Sequence, residues 1–426
     1  MPTTSFLRSV LTPAALLRLV LGWGSFLALL LAGRFLPESL PTPVLVIVLA
    51  AIVGVIIVCA FGVVIEAEHL AQRLGDPYGT LVLTLSIVMI EVILISAVML
   101  GPGDHATIAR DSVMAVSMII LNLVIGVALL AGGLRHDDLR PNRTGVSTYL
   151  ALLVVLLATA FALPGLIGTD GAFRPGQAVP IAVLTVVLYG FFLYRQMGAQ
   201  RADFQEIGKG RDATASRAGE PRRIHALQRR VGQVHPEGAE GSKLVTPGPS
   251  SEVSAGSTTE DRLPAEPEIS EVLAEHRPEI IARTLLLVAT VMPIVLLSHD
   301  MAVLLDDALG RVGAPVALSG ILIAMIVFLP ETITTIRAAL TGEIQRVSNL
   351  CHGALVSTVG LTIPAVLTIG LLTGQRVVLA EDPANLALLG MTLLLTLATF
   401  IGRRVTAVHG AVHLMVFVLY GLTVFR

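Results

Sequence analysis

Along most of this chain, apolar residues neither alternate with polar ones nor recur every three to four positions; they run almost unbroken for about twenty residues at a time, the length a helix needs to cross a bilayer. Such runs fall at 14–33, 43–65, 78–100, 112–133, 148–167, 178–197, 281–304, 316–340, 349–372, 384–401 and 405–424. They are too long and too uniform for the alternating strands of an outer-membrane barrel. The pattern predicts an all-α polytopic membrane protein of about 11 transmembrane helices.

One long polar stretch, 199–280, interrupts the series. It is rich in Gly, Pro, Ser, Glu and Arg, as in "GSKLVTPGPSSEVSAGSTTEDRLPAEPE", and cannot bury enough apolar surface to fold alone. It is expected to be a largely disordered cytoplasmic linker. The division is then an N-terminal helix (1–40), a first five-helix repeat (41–198), the linker, and a second five-helix repeat (281–426). Five is odd, so the second set runs opposite to the first, the topology of an inverted repeat with its site near the midplane. A shift of 240 residues aligns the halves. It carries Glu91 in "LTLSIVMIEVILISAVM" onto Glu331 in "LIAMIVFLPETITTIRAAL", Ser117 onto Ser357, and Asn122 onto Thr362.

Composition agrees with this reading. Of 426 residues, 54% are hydrophobic and only 14% charged, too few charges to coat a soluble domain. A net charge of −2 carries no nucleic-acid signature. Cys59 and Cys351 lie in or beside apolar runs, with no disulfide framework or metal spacing. The first apolar run lacks an A-x-A-like cleavage site and is expected to be retained as a helix. Orientation follows from the 29 Lys and Arg. With the N-terminus cytoplasmic and the C-terminus outside, only Arg34, Arg110, Arg174, Arg311, Arg376 and Arg426 fall on the outer side.

Glu91 and Glu331 carry the chemistry. A carboxylate near the bilayer centre costs roughly 2.5–3.5 kcal/mol or more unless paired, hydrated or protonated, and so marks an ion path. Burial favours its neutral form and a bound cation favours its charged form. One such group holds a proton or a cation but not both, which is the physical minimum for cation/proton exchange. Ser117, Asn122, Ser357 and Thr362 offer neutral oxygens to a hard cation, or ordinary interhelical hydrogen bonds. Pro330 and Pro364 can free helix carbonyls. Glu66, Glu68 and His69 end the second span, and Asp306 and Asp307 follow the seventh. These acidic groups read either as cation-attracting mouths or as solvated helix ends. Asp300, beside His299, lies closer to the membrane, so Glu68 and Asp300 are candidates for the access path. His409 and His413 share one face of the last helix, where packing or hydrogen bonding is the favoured role. No H-E-x-x-H site is formed, and no nucleophile–base pair marks an enzyme.

The segments "AEHLAQRLGDPYGTLVLTLSIVMIEVILISAVM" and "RDSVMAVSMIILNLVIGVALLAGGLRH" resemble the first repeat of the calcium/cation antiporter superfamily, nearest to its bacterial sodium–potassium/calcium–proton antiporter branch. "VFLPETITTIRAALTGEIQRVSNLCHGALVSTVGLTIPAVL" is similar to the second repeat. The resemblance implies ten core helices plus one N-terminal helix, an ion held between the repeats, and a bacterial inner membrane. It places Glu91 and Glu331 as the motif glutamates, Glu68 before the Leu-Gly turn, and Asn122 and Ser357 as lining residues. Ile87-Val88 and Val327-Phe328 stand where proton-coupled relatives often have Gly-Asn, and Thr332 where a histidine follows.

The expected function is secondary antiport of Ca2+, with Na+ or K+ as further substrates, against H+. Glu91 and Glu331 would bind the transported cation and the proton in turn, with no resident cofactor. The partners are the lipid bilayer, cations and protons. A sodium/calcium exchanger without proton coupling and a passive cation channel are the alternatives.

Overall fold

The computed structural model describes residues 10–32, 40–74, 85–86, 88–92, 95–96, 99, 106–206, 269–315 and 317–425. Among them are eleven helices: α1 (Pro13–Ala32), α2 (Thr42–Leu74), α3 (Ile108–Arg135), α4 (Arg143–Ile167), α5 (Pro175–Met197), α6 (Ile269–Arg311), α7 (Ala317–Val327), α8 (Leu329–Leu340), α9 (Ile344–Thr373), α10 (Pro383–Ile401) and α11 (Ala407–Val424). Nine are long and apolar enough to cross a membrane, and α7 with α8 would make a tenth as one bent span. Most of the third expected span, 78–100, lies outside the described residues; 85–86, 88–92, 95–96 and 99 are helical.

The expected span 316–340 is not one straight helix. It bends by 58° between Gly320–Ile326 and Glu331–Leu340. Pro330 stands in the first turn of α8, where a residue without an N–H is tolerated and a new helix readily starts. Phe328 sits at the hinge, accepting from the Thr332 amide at 2.9 Å, and Glu331 falls in the first turn of α8. Two helices outrun their apolar cores. α2 continues through "EAEHLAQRL", and α6 starts at Ile269 rather than 281. The expected linker therefore has structured ends. Phe204, in the turn Arg201–Phe204, packs edge-on against Tyr149 at 5.1 Å, and Glu206 accepts from the amides of Gln345 and Arg346. Its middle, 207–268, lies outside the described residues.

One unit holds 1–207 and 273–426. Within it, burial is uneven in a way a bilayer explains. On α1 only Ala15 and Gly22 are buried, while Val20, Leu27 and Leu31 are exposed, as lipid-facing side chains would be. α3 and α9 are the most deeply buried spans.

Their contacts are reciprocal. α3 packs along α11, and α9 packs along α5. The loop leaving α3 meets the end of α8 through His136 Nε2 and the Leu340 carbonyl at 2.9 Å, and the α10–α11 connector through the Val405 amide and the Leu139 carbonyl at 2.9 Å. The loop leaving α9 meets the segment before α3 through the Val378 amide and the Ala106 carbonyl at 2.8 Å, and the α4–α5 connector through the Leu379 amide and the Gly171 carbonyl at 3.0 Å. Such an exchange of partners is the pattern expected of two repeats related by a two-fold. Both deep helices also contain a π-helical turn, Ile119–Val124 in α3 and Asn349–Gly353 in α9, a local widening that loosens the carbonyl ladder.

Candidate ion-binding site

The two deep helices bring the predicted residues into the core. Glu91 is buried, and its Oε2 accepts from the Thr358 hydroxyl of α9 at 2.6 Å. Its Oε1 is buried without a partner. Glu331 is also buried, with Oε2 unpartnered, and lies within Coulombic reach of Glu91. Each carboxyl group thus keeps one oxygen sealed from water and unfilled by the protein. Such an atom costs stability unless a proton, a water or a cation completes it. Cys351 lies within the field of Glu331, with its Sγ 4.0 Å from Thr335 Oγ1.

The neutral candidates divide. Ser117 donates to the Val113 carbonyl at 2.7 Å and Ser357 to the Gly353 carbonyl at 2.8 Å, the back-bonding of hydroxyls inside helices. Either oxygen still has a lone pair to offer, and Ser357 already accepts from Tyr189 of α5 at 2.9 Å. Thr362 is buried with its hydroxyl unpartnered. Asn122 is fully buried in the π-helical turn of α3, and its Nδ2 donates to Thr392 of α10 at 2.9 Å.

The candidate access residues lie elsewhere. Glu68 is half-buried on α2 and Asp300 half-buried on α6. Glu66 proves to be structural: it is buried and takes the Arg283 guanidinium at 2.9 Å, which also binds Glu279 at 3.1 Å. Asp307 pairs with Arg311 at 2.7 Å on an exposed surface. The two histidines of α11 part company, since His409 accepts from the Thr406 amide at 3.1 Å while His413 is fully buried. Among the described residues no group of three or more His, Cys, Asp or Glu could hold a metal ion.

Thr358 and Tyr189 were not singled out from the sequence. Thr358 follows a candidate serine, so a second hydroxyl in "VSTVG" was a usable signal. Tyr189 reaches Ser357 only through the α5–α9 crossing, where a Cβ on Gly360 would come within 2.9 Å of the tyrosine ring.

The helical core thus buries two carboxyl groups, Glu91 and Glu331. The model of the sodium/calcium exchanger protein family matches residues 44–198 and 282–426, and the chain belongs to that family. The sodium-potassium/proton antiporter ChaA of Escherichia coli (strain K12) is 29% identical over 423 residues, 98% of this chain and 96% of its own. Among solved structures, native YfkE superposes with a TM-score of 0.62 at 16% identity, covering 96% of this chain and 99% of its own. The H+/Ca2+ exchanger CAX gives 0.57 at 12% identity, covering 96% and 89%. At these identities the two structures speak for the fold.

Proposed function

We propose that this chain is a secondary active cation/proton antiporter, exporting Ca2+ and taking Na+ or K+ as further substrates, in which Glu91 and Glu331 bind cation and proton in turn. The observation that carries the reading is the pair of unfilled carboxyl oxygens, Glu91 Oε1 and Glu331 Oε2, in one buried region. With both sites charged and empty, repulsion and desolvation disfavour the state. A divalent cation cancels both charges, and two protons do the same. Either occupant lets the halves rearrange, while the empty charged site resists it, which is the coupling an exchanger needs. One relative supports proton coupling: ChaA is named for protons against sodium and potassium.

Ser117, Asn122, Ser357 and Thr362 line the site in this reading, with Glu68 and Asp300 on its approaches. The membrane is the bacterial inner membrane, with the N-terminus cytoplasmic and the C-terminus outside. Domain boundaries follow the repeats, 41–198 and 281–426, after an N-terminal helix. Everted vesicles given Ca2+, Na+ or K+ in turn at two pH values test it. A cation-dependent collapse of an imposed pH gradient is expected. Uptake driven by a sodium gradient with no pH signal would assign the chain to sodium/calcium exchange instead, and downhill conduction without a counter-ion would assign it to a channel.

A further inference from the structure

α11 carries a buried histidine that the exchange reading leaves unused. His413 is wholly enclosed, and both its ring nitrogens are engaged. Nδ1 faces an oxygen that can only accept, Asn122 Oδ1 at 3.4 Å. Nε2 lies 3.2 Å from the Thr399 hydroxyl of α10, which can donate. The tautomer that satisfies both ends carries its hydrogen on Nδ1. The titratable groups acting on this ring are His409 on its own helix and, across the core, His352 of α9; no carboxylate among the described residues takes it as a partner.

The far end of Asn122 is fixed as well. Its Nδ2 donates to Thr392 Oγ1 at 2.9 Å, and the Thr392 hydroxyl spends its own hydrogen on the Leu388 carbonyl at 2.8 Å. That leaves the Thr392 oxygen able to receive only a donor. A side-chain amide has two ends of opposite character, since the oxygen can ligate a cation and the NH2 repels one. Here Thr392 demands the NH2 end and His413 demands the oxygen end. Among the described residues, no other donor is hydrogen-bonded to Asn122 Oδ1, so its second lone pair is available.

We propose that His413 is a positioning residue for the transport site: its Nδ1–H fixes the flip of the Asn122 amide so that oxygen, not NH2, serves the cation. This rests on the antiporter reading in which Asn122 lines that site. His413 touches neither cation nor proton in transit; it acts through Asn122.

The test uses full-length protein in everted vesicles, with Ca2+, Na+ and K+ offered separately and the cation dependence of exchange measured. An asparagine at 413 puts an amide N–H near the place of Nδ1, whereas a glutamine reaches toward the place of Nε2. His413→Asn is expected to keep the half-saturating cation concentration within about twofold of wild type. His413→Gln is expected to raise it about tenfold, the effect of one lost hydrogen bond in a buried site, with the maximal rate retained. In an Asn122→Ala background, His413→Gln should add nothing further. Equal effects of the two His413 variants, a change confined to maximal rate, or a full His413→Gln effect without Asn122 would overturn the proposal. If Glu91→Gln and Glu331→Gln abolish exchange while His413→Gln matches wild type, only the positioning role falls; if those glutamate variants exchange normally, the antiporter reading falls first.

Discussion

The hydroxyl of Thr358 donates to Glu91 Oε2 at 2.6 Å, across 267 residues of sequence and between the two halves of the bundle. It holds one carboxyl oxygen of the first half from a helix of the second, and leaves Oε1 without a protein partner. A hydrogen bond to a charged group contributes about 1.5–3 kcal/mol. Thr358→Val is therefore expected to raise the cation concentration for half-maximal exchange by about tenfold or more, while Thr358→Ser stays near wild type. Cation titration of vesicle exchange in both variants checks this. Equal affinities in Thr358→Val and wild type would remove Thr358 from the site.

The Arg283–Glu66 pair joins α6 to α2, with both side chains under a tenth exposed. Removing one partner strands a buried charge, at a cost of about 3–5 kcal/mol, whereas removing both is far milder. Arg283→Met should lower the thermal midpoint of the purified protein steeply, and adding Glu66→Gln should restore the share due to Glu66, with Glu279 still lacking the guanidinium. A double variant as unstable as Arg283→Met alone would show that packing, not charge, holds this contact.

Glu381 lies in the loop between α9 and α10, outside the spans. Burial pushes its carboxyl above the ordinary 4.5, against the opposing pull of Asn385 and Arg110. The folded chain then keeps a proton that the unfolded chain gives up, so stability falls as pH rises from the ordinary value through the raised one. Glu381→Gln removes that ionisation and keeps an oxygen for the Asn385 amide, which donates at 2.9 Å. The variant should melt higher than wild type at neutral pH, with the gap closing as pH is lowered toward 4.5. A gap that does not change with pH, or a less stable variant at neutral pH, would contradict the cause.

The spans were legible because a bilayer demands about twenty apolar residues in a row, and little else in a sequence imitates that. Glu91 and Glu331 were legible for the opposite reason, as charges where charge is costly. The ends of α2 and α6 were not, because "EAEHLAQRL" and "ISEVLAEHRPEI" are polar helix formers that hydropathy reads as loop. Pro330 announced a disturbance, but nothing local to it states the size of the bend, 58°. Glu66 reads locally as a cation-attracting mouth or a solvated helix end, since its partner Arg283 is 217 positions away. Thr358 and Tyr189 were hidden for the same reason. Their roles arise where one half crosses the other, and no local pattern records that crossing.

In the proposed exchange, two carboxylates, one from each half, alternately hold cation and proton. The most direct measurement is pH-gradient-driven cation uptake in everted vesicles carrying Glu91→Gln or Glu331→Gln, each shown to reach the membrane at wild-type level. Glutamine preserves shape and hydrogen bonding but neither ionises nor releases a proton. Either substitution is predicted to abolish exchange for every cation the wild type carries. Full exchange in both variants would contradict the account.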